Sequence, residues 1–104
     1  MNASQLVVDP AVIRETVRLA AVEVPGVLRV GRSGGRLRRW LVGPALITRL
    51  AGSVASVDVA IVVQAGGSLP LVAGRVRAAI NAALERQLGL VAGPVRVTVD
   101  GVGD

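Results

Sequence analysis

The sequence predicts an α+β fold: a two-layer sandwich in which two helices pack on one face of a small mixed β-sheet, in the order α-β-β-β-α-β. Three observations predict it. Apolar residues recur at helical spacing in two segments, one near each end of the chain. Between Val54 and Gln64 they alternate instead with the period of a half-buried strand. The chain has 104 residues, which fits one domain with a single core.

Asp9-Pro10 opens the first helix, with Asp as N-cap and Pro at the first helical position. Ile13, Val17, Ala20, Ala21 and Val24 then fall on one stripe, widened by Val12, Leu19 and Val22. Pro25-Gly26 stops this helix and turns the chain into a short strand, Val27 to Val30, with Leu28 and Val30 facing one way. A short strand at Gln5–Val8 would precede the helix. The stretch from about 31 to 44 reads as a flexible basic loop, punctuated by Gly34-Gly35 and Gly43-Pro44. Ala45 to Ala51 forms a strand, and Gly52-Ser53 a turn.

In Val54 to Gln64, Val57, Val59, Ile61 and Val63 alternate with Asp58, Ala60, Val62 and Gln64. Ser68 caps the second helix, with Pro70 in its first turn. Val72, Val76, Ala79, Ile80, Ala83, Leu84 and Leu88 face inward, Arg77, Asn81 and Glu85 outward, and Gly89 ends the helix. The last strand, Val95 to Val99, puts its valines on one side and Arg96, Thr98 and Asp100 on the other. Gly101 to Asp104 is expected to be a tail.

The composition excludes much chemistry. The chain has no Cys, no His and no Lys, since all twelve basic residues are Arg. That removes thiolate and imidazole ligands, the commonest general base near neutral pH, and Schiff-base chemistry. Glu15, Glu23, Asp58 and Glu85 sit on separate elements, so no carboxylate pair stands out for acid–base work. The expectation is no enzyme, no cofactor and no metal site. Ala65-Gly66-Gly67-Ser68 lacks the glycine fingerprint of a phosphate loop and reads as a turn. No targeting segment or transmembrane run is visible, so the chain is expected in the cytoplasm.

Recognition is the remaining class. Hydrophobic residues make up 52% of the chain against 18% charged, a balance that favours contact with a partner. Arg36, Arg38, Arg39 and Trp40 form a candidate partner-binding cluster. Trp offers a large amphipathic ring and Arg a delocalised cation. Asp58, Arg96 and Asp100 form a candidate self-association face on the open side of the sheet. The net charge of +5 favours anionic partners.

Three stretches taken together carry a resemblance. They are the helix running into Glu23-Val24-Pro25-Gly26-Val27, the strand Val57 to Val63 with its glycine turn and Leu71-Val72-Ala73, and the closing Val95-Arg96-Val97-Thr98-Val99-Asp100-Gly101-Val102. In order and spacing the chain resembles the alkaline-shock-protein family of bacterial general-stress and cell-envelope-stress proteins, over about residues 6–102 of a single domain. The resemblance implies a non-catalytic interaction or assembly protein at the inner membrane periphery. It also implies a protein partner, itself a membrane protein, and homo-oligomer formation. It brings no catalytic residues. The chain departs from the family's pattern in the basic segment 32–40, and in Gln64-Ala65-Gly66 where an aromatic-glycine pair is commoner. The alternative reading is a nucleic-acid (RNA) binding domain using that same segment 32–40.

Overall fold

The computed structural model describes residues 8–103. The elements are α1 (Pro10–Val22), β1 (Val27–Val30), α2 (Arg36–Val42), β2 (Leu46–Ala51), β3 (Val54–Gln64), α3 (Leu69–Leu88) and β4 (Val91–Gly103). The predicted architecture stands: α1 and α3 cover one face of a four-stranded mixed sheet. The expected strand at Gln5–Val8 falls at residues 5–7 outside the described part of the chain, and Val8 itself is not in a strand.

The helices start where the caps place them. The Asp9 carboxylate accepts from the Ala11 amide at 2.8 Å, and the Ser68 hydroxyl accepts from the Leu71 amide at 3.4 Å. At the end of α1, Gly26 takes φ +96°, and a Cβ there would meet Val72 of α3 at 3.2 Å. The turn therefore needs glycine for its backbone and for the close approach of the second helix.

Strand β3 organises the sheet. One of its edges pairs antiparallel with β2 over Val54–Val59 and with β1 over Ile61–Val63. The two neighbours meet at Ala60, whose amide donates to Ala45 O at 2.7 Å and whose carbonyl accepts from Gly31 N at 2.9 Å. The opposite edge pairs with β4 in parallel, from Val54↔Val91 to Gln64↔Gly103. A parallel neighbour requires a crossover, and α3 supplies it. Ile13, Val17 and Ala21 of α1 pack with Val76, Ile80 and Leu84 of α3 against Val57, Val59, Ile61 and Val63. This aliphatic set is buried throughout, and among the described residues no polar or charged residue is buried with it.

Four local expectations change. First, Leu28 and Val30 do not share a face. The register slips between Val27 and Arg29, so Val27 and Val30 turn to the core while Leu28 is exposed. Second, β4 begins at Val91 and runs through Gly101 to Gly103, where a tail was expected. Pro94 is tolerated because no described strand pairs with the outer edge of β4. Third, Ala60 and Val62 are buried although they face away from the helices. Gly101 and Gly103 leave room there: a Cβ on Gly101 would meet Ser33 Cβ at 2.8 Å, and one on Gly103 would meet Leu28 Cδ1 at 2.6 Å. The chain after β1 thus folds over this corner of the open face. Fourth, Asn81 is half-buried.

Candidate functional site

The segment read as a loop contains a helix, α2, and is closed at its base. Gly31 and Ala45 both hydrogen-bond to the backbone of Ala60, so the excursion between them leaves and returns at one point of β3. Such a loop with joined ends is a compact surface unit of a kind frequently used for function.

One carboxylate fixes the excursion to the sheet. Asp100 lies where the β3–β4 register shifts between Ile61↔Val99 and Val62↔Gly101, which makes it the extra residue of a bulge in β4. Its Oδ2 accepts from Arg38 Nη1 at 2.8 Å and from the Ser33 amide at 2.8 Å. Its Oδ1 accepts from Arg38 Nη2 at 3.1 Å and from Arg32 Nη1 at 3.3 Å. The Ser33 hydroxyl donates to the Asp100 carbonyl at 2.5 Å. Arg38 also donates to Ser33 O at 2.7 Å, and Arg32 reaches Pro44 O at 3.4 Å. The paired Arg38–carboxylate contact has the fork geometry that guanidinium favours. These donors leave the Asp100 side chain 5% exposed. The Arg38 guanidinium, followed by the Ser33 amide, holds the Asp100 carboxyl well below the usual carboxylate range. Arg38 is shifted upward by the same contact.

With Arg38 turned back onto the sheet, the apolar side chains of α2 face out. Leu37, Trp40 and Leu41 are 70%, 79% and 67% exposed, above any other large apolar residue described. At roughly 3.6 residues per turn they fall within about 100° of arc, with Arg36 on one flank and Arg38 on the other. Arg36 is exposed. The side chain of Arg39 lies outside the described residues. Beside Trp40 an open hollow of about 740 Å³ is lined by Arg29, Arg32, Gly34 and Pro44, and no carboxylate among the described residues lines it.

The predicted cluster therefore divides. Arg36 and Trp40 are presented, while Arg38 is committed to Asp100. The second predicted group divides as well. Asp58 and Arg96 stand opposite each other on β3 and β4, 3.8 Å apart and exposed. Asp100 belongs to the clasp and is drawn away from them. Sequence reasoning placed Arg32 and Ser33 in the basic segment 32–40 but missed their contact with Asp100, and missed the helix. Asp100-Gly101 following an alternating strand was the available sign that a segment must cross there. Among the described residues no group of acids could hold a metal ion, and no helix is long and apolar enough to cross a membrane. Among the described residues the arrangement presents an apolar and cationic surface.

The profile of the alkaline shock protein 23 family, described as having a cell envelope-related function, matches residues 1–103. A search of curated proteins found no match. Among solved structures, the chain is similar to the copper form of the MamM CTD, with a TM-score of 0.58, 20% identity, and 88% of this chain and 85% of that one covered. It is likewise similar to a nickel form of a substituted MamM CTD, with a TM-score of 0.56, 20% identity, and 88% and 96% covered. At that identity the likeness concerns the fold alone.

Proposed function

The chain belongs to the alkaline shock protein 23 family, whose function is related to the cell envelope, and on that premise we propose that it works as a non-catalytic interaction and assembly module. It acts at the cytoplasmic periphery of the membrane, reached through a protein partner. Members of the family are not known enzymes. The observation that carries the reading is α2: a short helix pinned by Asp100 so that Leu37, Trp40 and Leu41 stay uncovered. Aromatic and Arg residues dominate contact energies at interfaces, and a fixed helix costs little ordering on binding. Arg36 and Trp40 make the principal partner contacts, and Arg38 positions them.

Self-association uses a different surface. Asp58 and Arg96 lie on the open face of the sheet, and a twofold contact would set each against its opposite charge in the second copy. The outer edge of β4, with which no described strand pairs, supports the same mode.

The test is fractionation of native cells expressing the chain with Leu37, Trp40 and Leu41 replaced by Ala. The wild-type chain is expected with the envelope fraction and the variant in the supernatant, at equal abundance. Co-fractionation of the variant with the envelope refutes α2 as the contact.

A further inference from the structure

We propose that α2 also touches the lipid itself, laying Leu37, Trp40 and Leu41 into the headgroup layer of an anionic bilayer. Among the described residues the three most exposed large apolar side chains lie together on one helix, where a solvated surface would scatter them. Trp favours the water–lipid boundary because its ring is apolar and its N–H is polar. Among the described residues the charge beside the helix is cationic: Arg29 lines the hollow with Trp40 and Arg36 is exposed on the helix itself, while Asp100, the carboxylate that reaches it, is engaged by Arg38, Arg32 and Ser33. A second copy, itself carrying +5, meets that surface with like charge, whereas lipid phosphates complement it. The clasp adds direction: tied through its Arg38 flank, α2 turns its apolar arc away from the sheet, so insertion needs no refolding.

The proposal rests on the reading of α2 as the contact surface, but it is measured on the purified chain without the protein partner, and the chain carries its own probe. Trp40 is the sole aromatic residue, so tryptophan fluorescence reports on α2 alone. The purified full chain is titrated with vesicles of phosphatidylglycerol mixed equally with phosphatidylcholine, and with phosphatidylcholine vesicles. The expected result is a blue shift with the anionic vesicles that salt reverses, and none with the neutral ones. Arg36→Gln should weaken partitioning about fivefold, and the double variant Leu37→Glu, Leu41→Glu should abolish the shift with unchanged far-UV circular dichroism. Absence of a shift with anionic vesicles overturns the proposal, as does an equal shift with neutral ones. A chain that ignores vesicles yet fractionates with native envelopes overturns the lipid contact and leaves the partner reading intact. A response to single-stranded RNA in place of vesicles assigns the surface to nucleic acid and also overturns it.

Discussion

Replacing Gly101 with Ala puts a methyl group 2.8 Å from Ser33 Cβ and 3.0 Å from its hydroxyl oxygen. Carbon atoms in contact sit at about 3.5–4.0 Å, so Ser33 must retreat by about 1 Å. The struck atom is a Cβ, which cannot rotate aside without its backbone. That retreat stretches the Ser33 amide contact to Asp100, now 2.8 Å, and the Ser33 hydroxyl contact to the Asp100 carbonyl, now 2.5 Å, towards the limit of hydrogen bonding. Overpacking of this kind costs about 1–3 kcal/mol, and the loss of glycine's unfolded-state freedom returns about 0.4–1 kcal/mol. The net expectation is a loss of about 1–2 kcal/mol, or a fall in Tm of roughly 5–15 °C. Urea unfolding followed by circular dichroism measures it, and trypsin should cut at Arg32 and Arg36 faster than in the wild type. Gly35→Ala is the control within the same excursion, since a Cβ there meets nothing within 4 Å. It should leave stability unchanged or slightly raised. If Gly101→Ala behaves like Gly35→Ala, the excursion does not rest on the sheet as described.

Asp100 makes stability depend on acid. Its pKa is lowered on folding, so the clasp contributes fully above the ordinary aspartate range and is lost as pH falls through that range towards the folded value. Urea midpoints should therefore drop between about pH 5 and pH 2 more steeply in the wild type than in Asp100→Asn. Ile80, fully buried between the helices and the sheet, should cost about 2–5 kcal/mol on replacement by Ala, read from the same denaturation curves. Asp58→Ala should change monomer stability by less than about 0.5 kcal/mol, because its partner Arg96 is 3.8 Å away and exposed. If the open face joins two copies, Arg96→Glu should lower the mass seen by light scattering, and an unchanged mass would exclude that face.

The layered fold was legible because its signals are local and repeated. The alternation of Val57, Val59, Ile61 and Val63 marks a strand with a covered face, and Asp9-Pro10 and Ser68 announce their helices by hydrogen bonds the backbone needs. The site was legible only in part. Helix α2 spans seven residues, too short for periodicity to show between Gly34-Gly35 and Gly43-Pro44. The register slips in β1 and at Asp100 defeat a reading of faces, since one extra residue sends every later side chain to the other side. Strict alternation therefore pairs Leu28 with Val30, and groups Asp100 with Arg96 when its carboxylate serves Arg38 and Ser33. Burial of Ala60 and Val62 follows from a crossing segment far away in sequence, which no local pattern encodes.

A photocrosslinking amino acid placed in living cells at position 40, and separately at Arg14 on the helical layer and Arg96 on the open sheet, asks which surface the molecule uses. Dominant adducts from position 40, lost when Asp100→Asn frees the helix, are the predicted result. Adducts from position 14 or 96 with position 40 silent would contradict it.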